Sequence, residues 1–270
     1  MNLHFPSSTM KTARPQSTQG AHGIVHPDGR RVGVLRIADW LAEGFSIARA
    51  QPLLWLPAIL GGADFSTLFE LTPPLLAVLL AALLLPLWAG AMMLMQERAR
   101  NARPWTIGET LEAINGHRNA LFTIGLSGAA IAGIGYLLSF AAFHVTVSTS
   151  LAASGAHNLA IVYGVHQGAQ NALEPLISMP FYVIAIASVW FAPALVVLHN
   201  LSPVDAMTAS LRAALRNWPV ALVYAAAIAA DILLAPVVPM LARGVVVTPL
   251  VSALIVLSMF GSYRDLFIAR

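Results

Sequence analysis

The sequence predicts an all-α integral membrane protein with six transmembrane helices arranged as three hairpins, each preceded by a cytoplasmic-side amphipathic helix. Three observations lead there. The 270 residues are 58% hydrophobic and 10% charged, whereas soluble domains carry about a quarter charged residues. A soluble core of this length could not hide so much apolar surface, so lipid solvates part of it. The second observation is a series of six apolar runs, near 53–71, 74–95, 119–143, 175–199, 219–241 and 245–263, against the roughly 20 residues that a spanning helix needs. The third is the placement of the basic residues. In a six-span arrangement, 14 of the 15 Lys and Arg residues fall on one side and only Arg243 on the other. The positive-inside rule makes that side cytoplasmic, and both termini with it.

Taken in order, residues 1–33 are rich in Pro, Ser, Gly and His, with Lys11, Arg14, Arg30 and Arg31 scattered among them. Too little apolar content offsets the entropy of ordering, so this stretch reads as a disordered cytoplasmic tail. It also lacks the apolar core of a secretory signal peptide. The membrane domain then occupies 34–270. Over 35–50, Ile37, Trp40, Leu41, Gly44 and Ala48 share one helical face, with Arg36, Asp39, Glu43 and Ser46 away from it. Such a segment is too short and too charged to span, and it suits a helix lying at the interface. The first apolar run contains Asp64 and approaches Glu70, so it is a short or re-entrant span candidate. The segment 144–174 carries no Lys or Arg and is expected to face outward.

Two further amphipathic helices carry start signals. Thr106 is followed three residues on by Glu109, and Ser202 by Pro203 and Asp205. Both are capping-box patterns, which satisfy orphan N–H groups at a helix start. In the second of them Val204, Met207, Leu211 and Leu215 form one face, and Asp205, Thr208, Arg212 and Arg216 the other. Arg212 and Arg216 suit the helix dipole and anionic lipid head groups. Amphipathic helix, span, hairpin, span therefore repeats three times. Sliding the first unit onto the third by 167 positions pairs Arg49 with Arg216, Pro52 with Pro219 and Asp64 with Asp231. A shift of 69 pairs Arg49 with Arg118 but sets Gly133 opposite Asp64, a poorer match.

The motifs Trp190-Phe191-Ala192-Pro193-Ala194-Leu195, Ser202-Pro203, Arg216-Asn217-Trp218 and Ser262-Tyr263-Arg264-Asp265-Leu266-Phe267 resemble a family of uncharacterised proteobacterial inner-membrane proteins. The resemblance extends from about Trp40 to Phe267. Its layout is similar to the membrane domains attached to some glycerophosphodiester phosphodiesterases. It implies a multi-pass inner-membrane protein and brings no activity or binding residue with it.

Candidate chemistry is sparse. Asp231 falls about 12 residues into its run, roughly 18 Å along a helix, and an intramembrane carboxylate is a functional-site hypothesis by default. Asp64 is the second candidate, although after Gly61-Gly62 it can simply cap a short helix. Gly125-Leu126-Ser127-Gly128 matches the Gly-x-Ser-Gly of rhomboid-type proteases, but no later span supplies a base at that depth. Gly125, Gly128, Ala129, Ala132, Gly133 and Gly135 read instead as small faces for close helix contact. His144, His157 and His166 lack metal-site spacing, and no nucleotide fingerprint is present. The chain contains no cysteine. The sequence therefore points to a non-enzymatic inner-membrane protein without cofactor or metal, in contact with anionic lipid head groups and a protein partner, not with nucleic acid. The rival reading is a permease or channel component, proton-coupled through Asp231 and Asp64.

Overall fold

The computed structural model describes residues 26, 28–50, 52, 55, 59–60, 74–101, 106–143, 147–153, 159–165, 174–234 and 243–268. The helices are α1 (Arg36–Ala50), α2 (Pro74–Arg100), α3 (Ile107–Phe143), α4 (Glu174–Val189), α5 (Ala192–His199), α6 (Pro203–Arg216), α7 (Trp218–Leu234) and α8 (Thr248–Phe267). A π-helical turn, Arg243–Val247, leads into α8. Among the described residues, four stretches are long and apolar enough to cross a membrane: Leu76–Arg100, Ile107–Ala141, Ile177–His199 and Val245–Phe267. A fifth is added if α6 and the start of α7, which meet at 95°, are counted as one. The molecule is thus a multi-pass helical membrane protein. The first predicted run, 53–71, lies almost entirely outside the described residues, and Asp64, His144, His157 and His166 lie outside them too.

The expected all-α body has one addition. Strands β1 (Val147–Ala153) and β2 (Leu159–Val165) pair antiparallel within the segment 144–174, from Val147 opposite Val165 to Ala153 opposite Leu159. Alternating Val, Thr, Leu, Ile and Tyr suits a pleated pair, a period that reading the segment only as an outer loop overlooked.

Amphipathic helices precede their spans in two different ways. Asn217 and Pro219 interrupt the chain between α6 and α7, because a proline ring opposes continuation of the preceding helix. Pro52 occupies the equivalent place after α1. The middle unit has Leu121 there instead, and α3 runs unbroken for 37 residues, about 55 Å. This corrects the three-hairpin pattern at its middle unit, where the segment from Ile107 is the overhanging first turns of a span rather than a separate helix. Its Thr106 cap is formed, with the hydroxyl accepting from Glu109 N–H at 3.2 Å, while the Glu109 carboxylate turns to Arg98 at 3.0 Å.

The principal core lies at the basic end of the bundle, where Met93, Leu121, Ile124, Leu195, Val196, Ala206, Ala213, Tyr263 and Phe267 are buried together. Outward positions on the spans are also apolar: Ile134, Leu137, Leu138, Val183, Ile186 and Leu222 are exposed. Only lipid makes that surface favourable. Spans approach one another through the small residues of α3. A Cβ on Gly125 would lie 1.6 Å from the Ala82 carbonyl oxygen, one on Gly128 2.6 Å from Val189, and one on Gly135 2.5 Å from Phe181. Gly133 has nothing within 4 Å among the described residues and belongs to none of these contacts.

Candidate functional site

The basic end of the bundle is built by two insertions of polar side chains into span backbones. Pro193 has no N–H, and the helix breaks at Trp190-Phe191 between α4 and α5. The fully buried Ser210 of α6 fills this break. Its hydroxyl accepts from Phe191 N–H at 3.0 Å and donates to the Ala187 carbonyl at 2.7 Å. These are the i and i+4 groups of an ordinary helical turn, so the hydroxyl takes the place of one rung. In α8, Gln96 of α2 acts similarly. Its amide donates to Val256 O at 2.6 Å and accepts from Phe260 N–H at 3.1 Å. The Trp190–Leu195 motif is therefore the place where α6 is stitched into a span.

Asn217 supports the corner between α6 and α7. Its side chain accepts from Val32 N–H at 2.8 Å and donates to Arg30 O and Ala213 O, both at 2.9 Å. The segment ahead of α1 is docked here. His26 and Arg30 N–H groups cap the Phe267 and Leu266 carbonyls, each at 2.8 Å, and these are last-turn acceptors that α8 leaves orphaned. Gly29 makes the passage possible, since it has φ +64° and a Cβ there would meet that of Ala213 at 2.7 Å. Within the 1–33 tail, His26 and residues 28–33 are thus folded against the bundle, held by backbone groups that composition does not register. The earlier residues lie outside the described set.

The inward face of α6 is neither of the two read from the sequence. Ala206, Ala209, Ser210 and Ala213 pack inward, while Val204 and Leu215 are exposed. Met207 and Leu211 of the large apolar face are half-buried, Met207 against the core, and the closest approach to α4 is made by the small residues, because only they allow α6 to come this near. Arg216 donates to Gly29 O at 3.0 Å, and Arg212 pairs with Asp28 at 3.1 Å in an exposed pair of little energetic weight. The Ser202 cap is formed, its oxygen accepting from Asp205 N–H at 3.2 Å. The Asp205 carboxylate accepts from the Ser202 hydroxyl at 2.6 Å instead of reaching back to the N-cap N–H.

A charged network joins α1 to α8. Asp265, with its side chain 6% exposed, accepts from Arg36 and, at 2.9 Å, from the Trp40 indole N–H. Arg264 holds Glu43 with two bonds of 2.6 and 2.8 Å, and Arg100 lies 3.4 Å from the same carboxylate. Hydrogen bonding to Asp265 and its charge, with Asp39 adding, raise the Arg36 pKa above its ordinary value, so this cation persists at every physiological pH. Arg36 and Glu43, expected to point away from the packing face, instead flank it. Gly44 and Gly261 let the helices touch, since a Cβ on Gly44 would fall 2.0 Å from Leu257 O and one on Gly261 2.9 Å from Trp40.

Of the two predicted site residues, Asp231 is half-buried and accepts from the Thr248 hydroxyl at 3.1 and 3.3 Å. Thr248 opens α8, whose Arg264 lies roughly 24 Å further along at 1.5 Å per residue. Asp231 therefore belongs to the end of the bundle opposite the charged network. Asp64 lies outside the described residues, so the two carboxylates form no described pair. No group of three or more potential metal-ligating side chains occurs among the described residues. Comparison with protein-family models, curated proteins and solved structures finds no match.

Proposed function

We propose that this is a six-span inner-membrane protein, both termini cytoplasmic, that acts without enzymatic chemistry by organising a protein partner or a region of membrane. The observation carrying this reading is the construction of the basic end. The surface helices α1 and α6 are locked to the spans by glycine, alanine and serine contacts. Ile37 and Trp40 of α1 are buried against the bundle, while Leu35 and Phe45 on the approach to and along α1 and Val204 and Leu215 on α6 remain outward. An amphipathic helix set at 95° to the helix that follows suits an orientation in the membrane plane, with anionic head groups near its basic residues. The hairpin repeat, with an unbroken middle unit, is part of the same proposal, as is the resemblance to proteobacterial inner-membrane proteins.

The permease reading rests on Asp231, whose carboxylate already has a hydroxyl partner. Flux measurements separate the two. Wild-type protein reconstituted in vesicles carrying a pH gradient should dissipate it no faster than empty vesicles, and Asp231→Asn should behave identically. Proton flux that disappears in Asp231→Asn would replace the organising reading with transport.

A further inference from the structure

We propose that the cavity between α1 and the end of α2 binds the head group of a zwitterionic aminophospholipid, with its phosphate on Arg100 and its ammonium on Glu43. The cavity has a volume of about 320 Å³ and is lined by Glu43, Ser46, Ile47, Ala50, Ala99 and Arg100. It thus presents one cation, one anion, one hydroxyl and an apolar wall. The inference deepens the reading of α1 as a membrane-surface helix and rests on it.

Three observations select this ligand. The first is depth. Arg100 is the last residue of a span whose apolar run ends near Met95, so it lies roughly 7 Å beyond that run, at head-group height. The second is the state of Arg100. Its guanidinium stands over the Phe260 ring at 6.0 Å and lies 3.4 Å from Glu43, an ion pair without a hydrogen bond among the described residues. The two short bonds to Glu43 come from Arg264. Arg100 therefore keeps a planar set of N–H donors, the geometry that matches a phosphate. The third is the charge beside it. Arg264 binds Glu43 from outside the lining, whereas the Glu43 carboxylate itself borders the cavity beside Arg100, so a lone phosphate on Arg100 would meet a carboxylate whose charge is only partly offset. An ammonium carried two carbons from that phosphate removes the repulsion and supplies donors to Glu43 and to the Ser46 oxygen. Ile47, Ala50 and Ala99 then line the path toward the acyl chains.

The test is lipid retention by the full chain. Protein reconstituted in bilayers of phosphatidylethanolamine, phosphatidylglycerol and phosphatidylcholine is extracted gently, and bound lipid is measured by native mass spectrometry. Wild type should retain phosphatidylethanolamine in preference to both others. Arg100→Gln should lower that retention about tenfold, as expected for loss of one charge-assisted contact. Ala99→Leu, which fills the cavity without changing charge, should lower it as well. Arg98→Gln should not, because Arg98 pairs with Glu109 outside the cavity. Preference for phosphatidylglycerol, or retention indifferent to both Arg100→Gln and Ala99→Leu, overturns the proposal. A fluorophore on Phe45→Cys, with spin-labelled lipid as quencher, distinguishes the two levels. Quenching with indifferent retention removes the site and leaves α1 at the membrane surface. Absence of quenching removes both.

Discussion

Gly125→Ala should lower the thermal unfolding midpoint of the detergent-solubilised protein by about 6–12 °C, corresponding to about 3 kcal/mol. The added Cβ would lie 1.6 Å from Ala82 O and 3.0 Å from Pro86 Cγ. Neither neighbour can rotate away, because one is backbone and the other a ring. The helix-propensity gain of replacing glycine, about 1 kcal/mol, does not compensate for separating two spans. Local chemistry explains why they are so close. Pro86 lacks the N–H that would bond to Ala82 O, so this carbonyl is left without its helical partner. The Gly125 backbone covers it, where a weak Cα–H···O contact is available. Gly133→Ala is the internal control. With no described residue within 4 Å of its added Cβ, the substitution should be neutral or stabilise by up to about 1 kcal/mol.

Asp265→Ala should be the second large loss, and Asp265→Asn should recover much of it. The alanine variant leaves the Trp40 indole N–H, on a residue 1% exposed, without an acceptor. A buried orphan donor costs about 1–3 kcal/mol, which for a chain of this size is about 2–12 °C in the unfolding midpoint. Arg36 is not counted in that figure, because its head group reaches water. Asparagine keeps an oxygen for Trp40 and loses only the ionic part. A midpoint drop as large for Asn as for Ala would show that charge, not the indole bond, holds α1 to α8.

These two sites also mark what the sequence makes legible. Apolar runs of span length, the caps at Thr106 and Ser202 and the small faces of α3 are local patterns, and each can be read within a few turns of chain. Gly125, Gly128 and Gly135 were therefore identifiable as contact residues, although nothing local separates them from Gly133, which makes no such contact. Pairings such as Arg36 with Asp265, 229 positions apart, have no periodic signature. Periodicity could say only that Arg36 and Glu43 are polar and off the apolar face. The same limit hid the roles of Ser210, Gln96 and Asn217, each of which bonds to backbone on a distant segment. One signal was available, since a glutamine near the end of an apolar span needs a buried partner. Proline placement carries further information. Pro219 marks the corner between α6 and α7 and Pro52 the matching sequence position after α1, and the missing proline near Leu121 accounts for both the continuous α3 and the poor fit of the middle repeat.

The central claim is a multi-pass chain whose charged helical joints share the cytoplasmic side, and sidedness labelling tests it most directly. Because the chain has no cysteine, single cysteines can be placed without background. In intact spheroplasts, a membrane-impermeant maleimide should label Ala160→Cys on the outer hairpin. It should label Thr208→Cys on α6 and Arg270→Cys at the C-terminus only after permeabilisation. Labelling of Thr208→Cys or Arg270→Cys in intact spheroplasts, or protection of Ala160→Cys until permeabilisation, would contradict the account.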